Sequence, residues 1–167
     1  MIRFFARYRV TLGLLLALLA LWLARPSMRS WVLGGILIVA GEALRIWAAG
    51  HLRKGELVTT TGPYGLVRHP LYLGSTIMGL GFIVASRSVV VALLAAAYMT
   101  VTFIAAIRAE ESWLSQRFPE DYRAYREGTR SEKAGGFNLD RVIRNGEHKT
   151  MLGMVVVMAL LWWRSQT

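Results

Sequence analysis

The sequence predicts an all-α protein, a polytopic membrane helical bundle built as a single domain over residues 1–167. Two observations predict this class. Hydrophobic residues make up 54% of the chain and charged residues only 18%, a composition that excludes disordered, collagen-like and ordinary soluble domains. The apolar residues also fall into five runs separated by short charged stretches. We therefore expect about five transmembrane helices.

The five apolar runs differ in how well they match a membrane. A helix crosses hydrocarbon with about 20 residues, and the predicted spans lie near 10–24, 31–49, 71–86, 88–107 and 151–164. The second and fourth fit, whereas the others need flanking residues, tilt or a thinned bilayer. The first run lacks a small-x-small cleavage site, so it predicts an uncleaved span. The last ends in Trp162, Trp163 and Arg164, which indicates an interfacial anchor, with an interfacial or re-entrant helix as the alternative.

The net charge of +10 is explained by orientation. With a cytosolic N-terminus, fifteen Lys and Arg residues lie on the cytosolic side, four lie opposite, and Arg45 lies within the second span. This positive-inside bias removes the main support for nucleic-acid binding and leaves attraction to membrane lipids. The small size favours a prokaryotic cytoplasmic (inner) membrane. The chain has no cysteine, and its three histidines lack a metal-ligand spacing, so no metal site is expected.

The first hydrophilic segment, 55–74, leads into the third span. Gly62-Pro63 indicates a turn, and Pro70 suits the first position of a helix. His69 and its neighbour Arg68 therefore lie at a helix N-terminus, where free N–H groups and the helix dipole favour an anion. Tyr72 follows one turn inside. The alternative is that these side chains only mark the membrane interface.

The second segment, 108–126, continues the fourth helix as far as Phe118, and Pro119 begins another helix. Glu110 and Glu111 point about 100° apart on a helix, so they cannot form one acid/base dyad. One carboxylate could hold a ligand ammonium while the other pairs with Arg108 or a loop arginine. A solvated pair of carboxylates is the alternative.

Two features lie inside the spans. Glu42 and Arg45 are three residues apart and can pair along the second helix, or Arg45 can extend to the cytosolic interface. In the third span, Gly79 and Gly81 with their small neighbours indicate close helix packing, because a glycine pair inside an apolar helix cannot bind phosphate.

The two segments together carry a recognisable pattern. Gly-Pro-Tyr, then Arg-His-Pro-Leu-Tyr-Leu-Gly from Arg68, a helical hairpin, then Glu110-Glu111-x-x-Leu and Phe118-x-x-x-Tyr122-x-x-Tyr125 resemble the isoprenylcysteine carboxyl methyltransferase and phospholipid methyltransferase superfamily. The match covers about residues 55–126. This resemblance implies an integral membrane enzyme with a cytosolic helical cofactor site that binds S-adenosylmethionine and methylates a lipophilic acceptor from the bilayer.

The resemblance also implies roles for individual residues. Cofactor contacts fall on Tyr64, His69, Tyr72, Leu73, Glu110, Glu111 and Tyr122. A carboxylate acceptor needs no base but needs an orienting cation, for which Arg45, Arg108 and Arg126 are candidates. An amine acceptor must lose a proton, for which Glu111 or a water is the candidate. The pattern favours O-methylation of the isoprenylcysteine carboxyl kind over N-methylation of a phospholipid.

The chain departs from the superfamily in two places. Pro119 stands where glycine is more common, and both residues end a helix. Residues 127–167 have no counterpart; they contain a polar stretch, a predicted short amphipathic helix at 138–144 and the fifth apolar run, which could reshape the acceptor site. An NADPH-dependent sterol-type reductase and a non-catalytic membrane scaffold are the other hypotheses. The sequence determines neither the acceptor nor the oligomeric state.

Overall fold

The computed structural model describes residues 2–129 and 135–166, with side chains from residue 11 onward. Within those residues every regular element is helical, which confirms the all-α class. Seven α-helices and one 3-10 turn follow in order: α1 (Ile2–Leu23), α2 (Met28–His51), the turn Gly62–Gly65, α3 (Pro70–Ser86), α4 (Val89–Arg117), α5 (Pro119–Arg126), α6 (Leu139–Arg144) and α7 (Glu147–Arg164).

The helix boundaries follow from local sequence. Pro70 and Pro119 occupy the first positions of α3 and α5, as predicted, because a missing N–H is harmless there. Ser27 caps α2 in a reciprocal capping box with Ser30. Asn138 accepts a hydrogen bond from the N–H of Asp140 and so begins α6, which confirms the short helix predicted at 138–144. The 3-10 turn confirms the turn expected at Gly62-Pro63.

Among the described residues, two helices, α2 and α4, are long and apolar enough to cross a membrane, which is fewer than the five predicted. The described apolar part of α1, Thr11–Leu23, and the whole of α3 are shorter apolar helices. With 17 residues, α3 reaches only about 26 Å at 1.5 Å per residue. Glu147, Lys149 and Arg164 lie within α7 and interrupt its apolar character.

The tightest packing joins α2 to α3 through glycines. A Cβ added at Gly41 would lie 2.6 Å from the carbonyl oxygen of Gly74, and one at Gly34 would collide with the carbonyl oxygen of Gly81. Gly79 faces Met99 of α4. The glycines of the third apolar run therefore serve close helix packing, which confirms that prediction.

The C-terminal segment packs against α2 at both ends of that helix. Near one end, the indole N–H of Trp31 donates to the carbonyl of Met158 on α7 at 2.9 Å. At the other end, the side-chain amide of Asn145 donates to the carbonyls of Ala49 at 2.8 Å and Leu52 at 3.2 Å. These carbonyls lie at the C-terminus of α2, where the helix itself offers no partners. The segment thus closes the end of α2.

Helix α4 extends past its apolar part. Its 29 residues measure about 43 Å at 1.5 Å per residue, which exceeds a hydrocarbon core of about 30 Å. The predicted projection of 108–117 beyond the apolar residues is therefore present, and the helix ends at Arg117, one residue before the predicted Phe118. This projection brings α4 level with the N-terminus of α3.

Candidate active site

A cavity of about 790 Å³ lies where the end of α2, the loop after it, the N-terminus of α3 and the projecting end of α4 meet α5. Its lining is mainly apolar, with a limited set of polar groups, which is the usual character of a small-molecule site. Six residues predicted to belong to the site line it: Arg45, Tyr64, His69, Tyr72, Glu110 and Tyr122.

Four other predicted residues do not line this cavity. Leu73 lies beside Tyr72 on α3 and is 42% exposed. Glu111 contacts the site through His69, as described below. Arg108 and Arg126 lie on α4 and α5, close in sequence to lining residues but outside the lining itself. The roles assigned to these residues stay predictions.

His69 joins the two halves of the sequence pattern. The residue precedes α3 as its N-cap, and its Nε2 lies 3.1 Å from the carboxylate of Glu111 on α4. Its ring also contacts Tyr72 edge-on, with centroids 6.0 Å apart, and Tyr72 packs in turn against Phe103. The partner of Glu111 is thus His69 rather than Arg108 or a loop arginine, because the α3 N-terminus faces that side of α4.

Glu110 faces the cavity, about 100° around the helix from Glu111. Across the parts of the chain that the structure describes, its carboxylate makes no ion pair and no hydrogen bond. Burial, and then the charge of Glu110, raises the pKa of Tyr64 across the cavity. Glu110 is therefore a carboxylate that can bind a cationic group in the cavity.

Three tyrosines outside α3, namely Tyr64, Tyr122 and Tyr125, also line the cavity. The hydroxyl of Tyr125 donates to the carbonyl oxygen of Tyr64 at 2.6 Å, and burial raises the pKa of Tyr125 to about 12. Burial, followed by the charge of Glu111, raises the pKa of Tyr122. The buried hydroxyl of Tyr122 thus lies beside the carboxylate of Glu111. Tyr125 was not predicted as a site residue, although it lies one turn beyond Tyr122.

Arg45 reaches the inner end of the cavity, but its guanidinium is already engaged in hydrogen bonds with other residues of the protein. Its Nε and Nη2 donate to the carboxylate of Glu147 on α7 at 3.0 and 2.8 Å. The predicted partner, Glu42, lies farther away at 3.9 Å. The sequence carried no signal for Glu147, because this residue belongs to the segment without a counterpart in the superfamily pattern.

Other cations line the cavity. Arg53 and Lys54 come from the loop after α2, and Arg68 comes from the mouth of α3. Their side chains form no ion pair with any residue whose side chain is described. The sequence pattern places Arg68 at the helix mouth, but nothing in it distinguished Arg53 and Lys54 from ordinary interfacial cations.

The similarity to known proteins lies in the part of the chain that carries most of the cavity residues. The family model for phospholipid methyltransferase matches residues 8–121. Two relatives carry metal-resistance names: a nickel-cobalt-cadmium resistance protein of Alcaligenes xylosoxydans xylosoxydans is 32% identical over 59% of this chain and 46% of its own length, and a cobalt-zinc-cadmium resistance protein of Cupriavidus metallidurans is 37% identical over 59% of this chain and 45% of its own.

A third relative is a methyltransferase by name. The protein-S-isoprenylcysteine O-methyltransferase of Schizosaccharomyces pombe is 32% identical over 54% of this chain and 38% of its own length. The chain spans less than half the length of these curated relatives, and no solved structure matches it. The family match covers more than half of the chain and includes both predicted segments up to the start of α5. The chain therefore belongs to the phospholipid methyltransferase family.

Proposed function

We propose that the chain is an integral membrane methyltransferase that uses S-adenosylmethionine and acts on a lipophilic acceptor from the bilayer. The observation that carries the proposal is the cavity between α3 and α4, which the unpaired carboxylate of Glu110 lines together with the N-terminus of α3 and several tyrosines. Membership of a methyltransferase family gives this cavity its chemical context.

The residues present fit the charges of S-adenosylmethionine, which supplies an activated methyl group on a sulfonium. Glu110 would bind its ammonium, and Arg68 with the N-terminus of α3 would bind its carboxylate. Tyr64 and Tyr72 would line the sulfonium and the adenine.

Acceptor chemistry follows from the remaining charges. A carboxylate oxygen would attack the methyl carbon in line as the carbon–sulfur bond breaks, so the protein needs only to align the groups and exclude water. Every donor nitrogen of Arg45 is engaged, whereas Arg53 and Lys54 are unpaired among the described residues. We therefore assign orientation of an acidic acceptor to these two cations, which favours O-methylation. Three candidates for contact with the acceptor lie outside the cavity lining. They are Arg108 and Arg126 for an acidic acceptor, and Glu111 for an amine acceptor.

The membrane arrangement is part of the same proposal. Apart from α2 and α4, the apolar helices α1, α3 and α7 would complete five spans with the cavity on the cytosolic side of a prokaryotic inner membrane. The many exposed leucines and valines on these helices support contact with lipid. The positive-inside count supports the orientation.

Calorimetric binding of S-adenosylhomocysteine to the detergent-solubilised chain tests the proposal. We expect Glu110→Gln and His69→Ala to weaken binding by about tenfold or more, because the first removes the proposed partner of the ammonium and the second removes the link between the N-terminus of α3 and Glu111. Glu120→Gln is the matched control, since Glu120 lies on α5 with an 82% exposed side chain. Absence of binding by the wild-type chain, or equal binding by the Glu110 and Glu120 variants, would refute the proposal.

The acceptor is tested separately. Membranes containing the chain are incubated with a donor labelled in its methyl group, and the labelled lipid fraction is treated with base. Release of label as methanol indicates a methyl ester and supports an acidic acceptor. Base-stable label indicates N-methylation and contradicts the assignment of Arg53 and Lys54.

A further inference from the structure

A buried polar cluster joins α2, α3 and α7 at the inner end of the cavity. Its centre is Arg45, which also lines the cavity. Glu147 binds this guanidinium through both carboxylate oxygens and is only 3% exposed. A bidentate contact of this kind fixes the plane and the direction of a guanidinium as well as its charge.

The other side of the guanidinium faces α3. Its Nη1 donates to the hydroxyl of Ser75 and to the carbonyl oxygen of Leu71 at 3.4 Å. Ser75 and Leu71 belong to the first two turns of α3, which also carry Tyr72 and follow the N-cap His69. Arg45 therefore connects α7 to the part of α3 that forms the mouth of the cavity.

Glu147 is placed by the turn that precedes it. Gly146 has φ of +85°, a left-handed conformation that favours glycine, and Glu147 is the first residue of α7. Asn145 anchors the same turn to the end of α2 through two backbone carbonyls. Residues 145–147 all lie beyond residues 8–121, the part matched by the family.

We propose that Glu147 is a positioning residue of the methyl-transfer site, which acts through Arg45 to fix the first turns of α3 and thereby His69 and Tyr72. The inference rests on the proposed function. It also explains how a segment outside the family match takes part in the site.

A second carboxylate explains why Glu147 is needed. Glu42 lies one turn before Arg45 on α2, at 3.9 Å, and both of its oxygens are buried without a hydrogen-bond partner among the described residues. Without Glu147, the guanidinium has Glu42 as its nearest counter-charge. Turning toward Glu42 would close this gap to a hydrogen-bond distance of about 2.9 Å and draw the guanidinium away from Ser75 and Leu71.

The test separates positioning from simple stabilisation. Glu147→Met leaves a buried arginine without its partner, so we expect lower thermal stability as well as weaker S-adenosylhomocysteine binding. In the double variant Arg45→Met/Glu147→Met, an apolar pair of similar volume replaces the ion pair and stability should recover. The contacts to α3 are still missing, so we expect binding of S-adenosylhomocysteine to stay about tenfold weaker than in the wild-type chain.

Hydrogen exchange supplies a readout that is independent of ligand binding. In both variants we expect faster amide exchange over 70–76, with exchange over 89–107 unchanged. Wild-type binding by the stable double variant, or unchanged exchange over 70–76, would overturn the inference. If the wild-type chain binds no S-adenosylhomocysteine, the proposed function fails, and the exchange measurement still decides whether Glu147 fixes α3.

Discussion

Replacing Gly41 by alanine should open the contact between α2 and α3. The added Cβ would lie 2.6 Å from the carbonyl oxygen of Gly74 and 2.8 Å from the backbone nitrogen of Met78. Both atoms belong to the backbone of α3, so no side-chain rotation relieves the overlap. The two helices must separate, and the separation acts one turn away from Arg45 and the cavity.

The expected cost of Gly41→Ala is about 1–3 kcal/mol, the usual range for overpacking of a close-packed interior. Gly74 and its neighbours cannot offset this cost by repacking, because the opposing atoms are main-chain atoms. For a chain of this length, each kcal/mol corresponds to roughly 2–4 °C in the unfolding midpoint. The midpoint should therefore fall by about 2–12 °C, measured by tryptophan fluorescence in detergent at a fixed heating rate.

Gly153→Ala is the matched control. Gly153 lies inside α7, and an added Cβ meets no atom within 4 Å. The same chemical change should there be neutral or stabilise the helix by up to about 1 kcal/mol, because alanine has the higher helix propensity. An unchanged or higher unfolding midpoint for Gly41→Ala would contradict this reasoning, and so would equal decreases in the midpoint for the two variants. Either result would show that the close contact between α2 and α3 does not require glycine at position 41.

Two further predictions concern hydrogen bonds around the cavity. Tyr125→Phe removes the bond to the Tyr64 carbonyl and should cost about 1 kcal/mol at neutral pH. Since burial raises the pKa of Tyr125 to about 12 from 10, its contribution to stability is complete below pH 10 and is lost as pH rises toward 12. A stability profile over this interval should thus fall less steeply for the variant, and an identical slope would contradict the assignment. Asn145→Ala leaves the carbonyls of Ala49 and Leu52 without side-chain donors, and a loss of about 1–2 kcal/mol in denaturant unfolding is expected, with no loss contradicting the capping role.

Local sequence was sufficient for features that depend on neighbouring residues. Pro70 and Pro119 begin helices because proline loses nothing at a first helical position. His69 and Glu110 line one cavity because each lies at the same end of an adjacent apolar helix, which the helix lengths already predicted. The family resemblance assigned the segment around His69 and the segment around Glu110 to one site. The family match confirms that resemblance.

Features that depend on distant residues were not predictable in this way. Glu147 follows Arg45 by 102 positions, and no periodicity relates two residues across separate helices. Gly34 carries no signal that it meets Gly81, since packing between helices depends on which faces meet. Of the five apolar runs, only those of α2 and α4 form described helices that are long and apolar enough to cross a membrane on their own, because the composition of a run does not determine how far its helix extends.

The long separation between Arg45 and Glu147 has a consequence for biosynthesis. A chain is made from its N-terminus, so α2 is complete while roughly one hundred residues remain to be synthesised. During that interval Glu42 is the nearest counter-charge for the guanidinium within α2 itself. On the proposed role of Glu147, the arrival of α7 would transfer Arg45 to Glu147 and align the first turns of α3. The same role predicts that the cavity reaches its final shape only after α7 is added, and that a chain interrupted before Glu147 lacks an aligned site.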